Sequence, residues 1–251
     1  MVQFYMNNED KLEVLYKDEH FIAINKPSGL LVHRSPIDRH ETRFAIQLLR
    51  DQIGQYVYPL HRLDKPTSGV LFFALDKEST NLVSEQFKNH TIQKTYLAVV
   101  RGYTDDEGVI DYALKEKLDK IADKDVRVDK EAQDAVTHYK TLAKTELDYE
   151  VGRYDKVRYS LVELKPKTGR KHQIRRHMKH ISHHLLGDTK YGRGEHNKLI
   201  RAEFDCHRML LHASELKLYH PYLKKEIIIK AGLDDTFSKI CKDLFDLESI
   251  S

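Results

Sequence analysis

The sequence predicts an α+β protein in which a mixed, mostly antiparallel sheet is flanked by helices. Short apolar or alternating segments bounded by turn residues recur along the 251-residue chain, as in proteins built from hairpins. Helical periodicity is limited to a few segments between these predicted strands. No internal repeat or low-complexity linker interrupts the pattern. We therefore expect a single α+β domain over residues 1–251, long enough to bury a core of its own.

The predicted strands are recognised by alternation or by continuous apolar character. Leu12 to Tyr16 and Phe21 to Asn25 alternate and are joined by Lys17–His20, which indicates a hairpin. Lys26–Gly29 then ends the second strand, because proline fixes one backbone dihedral and glycine permits positive φ. The remaining predicted strands are Tyr56–Tyr58, Val70–Leu75, Ile92–Arg101, Ala135–Leu147, Val157–Lys165, Met209–Leu218 and Glu226–Lys230.

The predicted helices are recognised by apolar spacing and by end signals. Thr42 to Ile53 has apolar residues at helical spacing and is followed by Gly54, a typical C-terminal stop. Asp76 is placed to cap a second helix, and Asp234 to Phe245 forms a closing helix. A helix in the basic part of the chain is expected to be followed by loops as far as about Phe204. The residues of the second helix expected to face inward are Leu82, Val83 and Phe87.

Charge is unevenly distributed along the chain, although the net charge is only +3 and the pI is near 8.6. Residues 103–134 are charged and sparsely apolar apart from Val109–Leu114, and predict a surface hairpin followed by an insertion over about 115–134. Lys165 to Lys179 contains seven Lys or Arg residues and no acid. Such a concentrated basic stretch fits a local site for a polyanion. The alternative is that it forms one solvated helix face.

The composition is typical of an ordinary cytoplasmic protein. Hydrophobic residues make up 40% of the chain and charged residues 32%, which excludes a disordered or membrane-embedded protein. The first residues, Met1 to Lys11, are polar and predict no signal peptide, and no later apolar run reaches membrane-spanning length. Cys206 and Cys241 lack CxxC spacing and are expected to be buried thiols rather than a disulfide.

One loop gathers groups that are suited to catalysis. His61–Gly69 lies between two predicted strands, where side chains are held on the edges of a sheet. Asp64 lies in this loop beside the cations Arg62 and Lys65, and nearby positive charge favours an ionised carboxylate. A held, ionised carboxylate can act as a nucleophile. The alternative is that Asp64 is a turn residue that accepts hydrogen bonds from the two hydroxyl residues of the loop.

These residues resemble a known enzyme family. His61–Asp64 followed by Thr67–Gly69 is similar to the HRLDxxTSG signature of the RluA-type pseudouridine synthases, a long and specific motif. The likeness extends over residues 26–235 and implies the family's single catalytic domain, without a separate N-terminal RNA-binding domain before it. The family's KPxG, K-x-Y and GRxHQxR motifs are matched at Lys26–Gly29, Lys94–Tyr96 and Gly169–Arg175.

The resemblance implies roles for individual residues. Asp64 would be the nucleophile on a uridine flipped out of its RNA helix, and Tyr96 would pack against the target uracil. Arg175 would hold Asp64 by a two-pronged ion pair, which the planar guanidinium suits. Without the resemblance, Tyr96 would be a half-buried strand residue. No metal, nucleotide or redox cofactor is implied. The RNA-binding candidates are Arg62, which would enter the space vacated by the base, and Arg170, Lys171, His172 and Arg176.

Within the family, the likeness is closest to the enzymes that modify uridine 65 of tRNA. This implies an isomerase with tRNA as its partner and no membrane or protein partner. A synthase for another tRNA or rRNA uridine, or a non-catalytic RNA-binding module of the same fold, are the alternatives. The segments that support position 65 are Leu31–Ser35, Arg50–Gly54, Asp64–Thr67, Leu118–Lys124 and Ala135–Tyr139.

Two other kinds of site compete with this interpretation. A glycoside or nucleoside hydrolase needs a second carboxylate several Å from the first, for which Asp38 and Asp188 are the candidates. A histidine cluster near Asp188 resembles a zinc site, but only His180 and His184 share a close helix face. No HExxH pattern or cysteine ligand accompanies them, so we expect no metal site. His184 also stands where the matching family segment usually has proline. The histidines of the cluster are His172, His177, His180, His183 and His184.

Overall fold

A computed structural model of the chain describes residues 11–34, 40–115 and 131–248. Backbone contacts divide these residues into two compact units. Unit 1 comprises residues 11–34, 40–92 and 215–232, and unit 2 comprises residues 93–115, 131–214 and 233–248. Most of the predicted insertion, residues 116–130, lies outside the described residues. The prediction of one catalytic domain stays a prediction.

The described strands and helices follow the predicted order closely. The strands are β1 (Glu13–Lys17), β2 (Phe21–Lys26), β3 (Tyr58–Pro59), β4 (Ser68–Ala74), β5 (Gln93–Arg101), β6 (Glu107–Asp111), β7 (Val136–Leu147), β8 (Val157–Pro166), β9 (Leu211–His220) and β10 (Lys225–Lys230). The helices are α1 (Ala45–Ile53), α2 (Lys77–Lys88), α3 (Gln173–His180), α4 (Gly194–Phe204) and α5 (Asp235–Phe245).

Unit 1 is built on the antiparallel strands β1, β2 and β4. The predicted hairpin is present, with Glu13 of β1 opposite Asn25 of β2. β2 then pairs with β4, with Phe21 opposite Ala74, and β3 adds to β4. β10 pairs with residues 215–220 of β9. Complete burial of a large apolar side chain stabilises a fold by roughly 1.5–3 kcal/mol. The core of unit 1 includes Phe21, Phe72, Val83, Leu216 and Ile229.

The predicted C-terminal stop of α1 and the predicted N-terminal cap of α2 are both present. Gly54 has a φ of 67° and donates its N–H to the Arg50 carbonyl, so α1 stops where the glycine predicted. Asp76 caps α2 by accepting from the N–H of Ser79, as expected. Leu82, however, is 39% exposed, so its predicted inward orientation is wrong. The buried face of the helix is therefore narrower than its apolar residues suggested. Single exposed apolar side chains are common on protein surfaces.

Unit 2 is a sheet with the strand order β5-β8-β7-β6, in which each strand is antiparallel to its neighbour. Successive residues of β5 point to opposite faces, and both faces are buried. α4 and α5 cover one face, and α3 covers the other. The first face includes Val99, Leu161, Ile200, Phe237 and Ile240, and the second includes Ala98, Val162, Leu164, Ile174 and Met178.

The helix α4 corrects the prediction of loops as far as Phe204. It begins after Arg193, whose side chain makes no capping hydrogen bond, and its first residue is Gly194. Neither residue is a helix-start signal, so the sequence gave no reason to begin a helix there. The helix is stabilised by packing instead, because its residue Ile200 is fully buried in the unit 2 core.

The predicted fold class and the predicted state of the two cysteines are confirmed. The strand pairs given above are antiparallel and lie beside helices, which is the predicted α+β class. Cys206 and Cys241 are free thiols, each 2% exposed, as their spacing indicated. In the part of the chain that the structure describes, no helix is long and apolar enough to cross a membrane.

Candidate active site

Asp64 lies in unit 1, in the loop that joins β3 to β4. Its side chain is half-buried, and the residues that follow it, from Thr67 into β4, are buried. The Thr67 N–H donates to the Asp64 backbone carbonyl at 3.0 Å, which closes a turn. The main chain therefore contributes to the turn at this position.

The ammonium group of Lys26 holds the main chain beside this loop. The side chain is 0% exposed, and its Nζ donates to the carbonyls of Pro27 and Leu30 at 2.8 Å and of Lys65 at 3.2 Å. Lys65 directly follows Asp64, so one buried cation fixes the backbone next to the candidate nucleophile. Charge-assisted hydrogen bonds of this kind are stronger than neutral ones.

Two further bonds join the turn after Lys26 to the same loop. Gly29 donates its N–H to the Lys65 carbonyl at 2.9 Å, and the Ser28 hydroxyl donates to the Pro66 carbonyl at 2.9 Å. The sequence predicted a scaffold turn here but not what it supports. The acceptors are backbone carbonyls, which every residue has, and so they leave no signal in the sequence.

The residues on the other side of Asp64 are positioned by β4 and α2. His61 Nε2 accepts the Phe72 backbone N–H at 3.1 Å, and its ring lies 5.4 Å from that of Phe87. Because Nε2 accepts, the neutral imidazole carries its proton on Nδ1. Arg62 is exposed, as a side chain that contacts a macromolecule must be.

Tyr96 lies in unit 2, on β5 opposite Leu164 of β8. It is half-buried and packs against the apolar face that α3 covers. Two residues earlier, the Lys94 ammonium donates to the Thr168 carbonyl at 3.4 Å, and burial lowers its pKa. The K-x-Y segment and the start of the basic segment are thus adjacent within unit 2. A packed strand tyrosine of this kind fits both the structural and the functional interpretation.

Arg175, on α3, forms a bidentate pair with Asp188. Arg175 Nε and Nη2 donate to the two carboxylate oxygens at 2.8 Å each, and the two side chains are 6% and 1% exposed. The backbone N–H groups of Lys190 and Tyr191 donate to the same carboxylate at 2.8 and 3.0 Å. Burial works to raise the pKa of Asp188, but the guanidinium and these two donors outweigh it and hold the pKa below its ordinary value.

The ring of Tyr191 completes the surroundings of this arginine. The Arg175 guanidinium carbon lies 5.1 Å from the ring centroid, and the Tyr191 hydroxyl is hydrogen-bonded to His172 Nδ1 at 3.0 Å. A guanidinium has five N–H groups, and Asp188 uses two of them. Asp64 lies in unit 1 and Arg175 in unit 2, so their pairing stays a prediction.

The loop that carries Asp188 is held by α4, the helix that the sequence did not reveal. Asn197 accepts the Gly187 N–H at 2.8 Å and donates to the Asp188 carbonyl at 3.0 Å. Gly187 has a φ of 75°, and a Cβ there would lie 2.0 Å from the Arg208 carbonyl oxygen, so only glycine fits. Asp188 was named in the sequence only as a second carboxylate of a hydrolase. Its bidentate pair with Arg175 gives it a structural role instead.

The remaining RNA-binding candidates also lie in unit 2. Lys171 is exposed and His172 is half-buried, with a left-handed φ of 56° just before α3. Arg170 Nε donates to the Asp134 carbonyl at 3.1 Å, and Arg176 Nη2 donates to the Lys115 carbonyl at 2.8 Å. The segment is not a purely solvated face, because α3 buries residues Gln173, Ile174, Arg175, His177 and Met178.

Four of the five clustered histidines make hydrogen bonds within the protein, and His180 stacks on the Tyr112 ring. His177 Nε2 lies 3.0 Å from the Tyr112 carbonyl, which can only accept, so this nitrogen carries the proton. His183 Nδ1 likewise donates to the Arg101 carbonyl at 2.8 Å. Across residues 11–34, 40–115 and 131–248, no three His, Cys, Asp or Glu side chains are grouped as metal ligands would be.

Residues 20–180 match the family model described as RNA pseudouridylate synthase. The match covers more than half of the chain and includes Asp64, Tyr96 and Arg175. The chain belongs to the RNA pseudouridylate synthase family. The expectation of an RluA-type enzyme, and hence of an isomerase, is confirmed.

Similar proteins span nearly the whole of this pseudouridylate synthase. The tRNA pseudouridine synthase C of Vibrio parahaemolyticus is 59% identical over 230 residues, which are 92% of this chain and 94% of that protein. The enzyme of the same name from Vibrio cholerae is 54% identical over 95% of this chain and 98% of its own length. The one from Haemophilus influenzae is 53% identical over 91% and 96%.

Solved structures support the fold of the synthase. Human RNA pseudouridylate synthase domain containing 4 has a TM-score of 0.68 and 27% identity, covering 91% of each chain. Human RNA pseudouridylate synthase domain containing 1 has a TM-score of 0.69 and 24% identity, covering 92% of this chain and 86% of its own. The second likeness is evidence for the fold alone.

Proposed function

We propose that this synthase isomerises a uridine of tRNA to pseudouridine, at position 65, with Asp64 as the nucleophile. The observation that carries the proposal is the 59% identity, over 92% of the chain, to a protein named tRNA pseudouridine synthase C. Position 65 rests on the resemblance of several short segments, and the role of Asp64 rests on the match of its loop to the family signature. The cytoplasm stays our prediction for its location.

The reaction requires the target uridine to leave its stack, at a cost of a few kcal/mol. Arg62, which is exposed, would enter the space that the base vacates. The Asp64 carboxylate would attack either the ribose or the uracil, and the bond between the ribose and N1 would break. The freed uracil would turn and rejoin the ribose through its C5, and the bond to Asp64 would break. C5 would lose its proton to solvent, and N1 would take up one proton. No atom is gained or lost by the nucleotide as a whole, as an isomerase requires.

Arg175 and Tyr96 would assist Asp64 in this proposal. The Arg175 guanidinium, oriented by Asp188, would be the cationic partner of the nucleophile, and the Tyr96 ring would pack against the turning uracil. A group fixed in advance accelerates a reaction because its ordering is completed before the substrate binds. The buried pair with Asp188 fixes the plane of the guanidinium in this way.

The test is the substitution Asp64→Asn, with Asp243→Asn on the exposed face of α5 as the matched control. Asp64→Asn is expected to abolish tritium release from tRNA labelled at uracil C5, while binding of the tRNA survives, because affinity depends mainly on phosphate contacts. The control is expected to behave as the wild-type protein.

Mapping pseudouridine in the product tRNA tests the position. A signal at uridine 65 supports the full proposal, and a signal elsewhere keeps the isomerase but changes the substrate. Wild-type tritium release by Asp64→Asn would remove Asp64 from the mechanism. Release of free uracil would instead indicate a hydrolase, since isomerisation releases no base.

A further inference from the structure

Unit 1 has an open cleft of about 500 Å³ beside helix α1 whose lining contains none of the candidate site residues above. It lies between α1 and the segment that follows the turn after Lys26. We call it the α1 cleft. Its volume is within the range of sites that bind small molecules or single nucleotides. The residues that line it are His33, Arg34, Thr42, Phe44, Ile46, Gln47 and Arg50.

The α1 cleft is cationic. Two guanidinium groups, of Arg34 and Arg50, supply the charge, and the described lining includes no carboxylate. Arg50 pairs with Asp51 at 2.8 and 3.0 Å, but both side chains are nearly half exposed. Exposed pairs of this kind contribute little, so a phosphate can replace Asp51 at low cost.

The α1 cleft also has an apolar floor and neutral polar groups. Phe44 is 6% exposed and Ile46 is half-buried, and the exposed Thr42 and Gln47 offer a hydroxyl and an amide. A site for a small anion needs neither this volume nor apolar surface. A nucleotide within an RNA chain can use the cations, the apolar floor and the neutral polar groups of the cleft. Its phosphate binds cations, its base packs on apolar groups and the edges of the base form hydrogen bonds.

The two walls of the cleft are fixed to each other by the main chain. The Ala45 N–H donates to the Leu31 carbonyl at 2.8 Å, and the Ile46 N–H donates to the Val32 carbonyl at 3.2 Å. These bonds fix residues 31–32 against the start of α1, so binding does not have to order this part of the backbone.

The α1 cleft lies next to the loop of the candidate nucleophile. Lys65, the residue after Asp64, donates from Nζ to a Glu41 carboxylate oxygen at 2.8 Å, and Glu41 directly precedes Thr42 of the cleft lining. Burial, and then the positive charge of Arg62, also lower the pKa of His33. Arg62 precedes Asp64 by two residues. An RNA strand that presents its uridine to Asp64 would continue past Arg62 toward this cationic surface.

We propose that the α1 cleft binds a nucleotide of the substrate RNA close to the target uridine, with its phosphate on Arg34 and Arg50. The inference rests on the proposed function and adds a contact region that the basic segment Lys165–Lys179 does not supply. Gln47 and the apolar floor would contact the base or sugar of this nucleotide.

The first test is charge reversal, Arg50→Glu, with Arg201→Glu on the exposed side of α4 as the matched control. One lost phosphate contact weakens RNA binding about five- to tenfold at 0.1 M salt and lowers the slope of log Kd against log salt by about one. We expect this change in the Kd for unmodified tRNA, together with a similar rise in KM and an unchanged kcat at saturating tRNA. The control is expected to keep the wild-type Kd and slope.

The second test adds a charge, because a gain cannot result from misfolding. Gln47→Lys is expected to tighten tRNA binding and to raise the salt slope by about one, whereas Asn81→Lys on the exposed face of α2 is not.

Wild-type Kd and slope in both cleft variants, Arg50→Glu and Gln47→Lys, would overturn the inference. The inference would also be overturned if Arg50→Glu lost binding of inorganic phosphate but kept the wild-type salt slope for tRNA. The cleft would then bind free anions only. A wild-type protein that forms no pseudouridine would refute the proposed function instead, and the binding slopes remain readable in that case.

Discussion

At the scale of single residues, the buried pair of Arg175 and Asp188 is the part of the site that the structure defines best. Removing both charges from water is costly, and the cost is offset only when geometry and further hydrogen bonds are good. Here two parallel bonds of 2.8 Å, two backbone N–H donors and the Tyr191 ring meet that condition. Asp188 therefore serves as a positioning residue for the guanidinium.

Asp188→Asn is expected to impair both stability and catalysis. An amide cannot accept both Arg175 bonds, and a buried charge that loses its partner costs about 3–5 kcal/mol. A guanidinium displaced by about 1 Å lowers the rate roughly a hundredfold, with kcat falling more than KM rises. Urea unfolding and steady-state kinetics measure the two effects. Asp106→Asn, which removes an exposed pair with Lys144, is the control and should change neither.

The same pair predicts how stability depends on pH. The pKa of Asp188 is below its ordinary value in the folded protein, so folding favours the ionised form. This contribution is fully present above the unfolded value of about 4 and is lost as the pH falls through the folded value. The free energy of unfolding of wild type should therefore decline below about pH 4 more steeply than that of Asp188→Asn. Equal slopes for the two proteins would contradict a stabilising role of the ionised carboxylate.

The motif residues were visible in the sequence, but the contact partners of Arg175 and Lys26 were not, for a physical reason. Asp64 and Arg175 belong to motifs made of side chains with distinctive chemistry, and such motifs are visible in a sequence. The partnership of Arg175 with Asp188 depends on how a 13-residue interval folds back on itself. Lys26 was visible only as part of a turn motif, because its partners are carbonyl groups.

At the scale of elements, the turn after β2 supports the loop between β3 and β4. The Lys26 ammonium and the Ser28 hydroxyl contact successive carbonyls on the C-terminal side of Asp64. The register of β2 against β4 brings Lys26 opposite Gly69 and so aligns the two irregular segments. Loops that carry catalytic groups need this kind of support, since precision decreases when the supporting residues are absent.

Lys26→Met tests whether the turn holds the loop. Three carbonyls would lose a buried donor, and leaving a buried group unsatisfied costs about 1–3 kcal/mol. The variant should be less stable and should show faster hydrogen exchange at the Gly29 N–H, which bonds to the Lys65 carbonyl. Its kcat should also fall. Lys77→Met, on an exposed lysine of α2, is the matched control. Wild-type exchange at Gly29 in Lys26→Met would show that the ammonium does not hold the loop.

Helix prediction succeeded wherever the ends of a helix carried chemical signals. Asp234 accepts the Phe237 N–H and begins α5 as expected, and Gly54 ends α1. α1 begins at Ala45 rather than Thr42, because Phe44 is still extended at a φ of −137°. Its neighbour's N–H is bound by the Leu31 carbonyl, a contact that depends on tertiary structure. Boundaries set by distant backbone groups are not encoded in local sequence.

At the scale of the whole molecule, local sequence patterns do not predict which distant segments of the chain contact each other. His220 Nε2 lies 2.7 Å from an Asp18 carboxylate oxygen, a bond that joins positions 202 residues apart within unit 1. β9 contributes residues 211–214 to unit 2 and residues 215–220 to unit 1. The sequence predicted the strands themselves, because alternation is local, but it carried no information about such partners.

The expectation of a single domain predicts one cooperative unfolding transition. Unit 2 has its own probes, because Cys206 and Cys241 are 2% exposed and burial raises the pKa of Cys241 to about 12. Neither thiol should react with a disulfide reagent at pH 8 until the protein opens, since the thiolate is the reactive form. Thiol labelling in urea should therefore have the same midpoint as the protection of the β4 amides in unit 1, measured by pulsed hydrogen exchange. Circular dichroism gives the reference transition for the backbone. Two separated midpoints would show that the units unfold independently and that the chain has two domains.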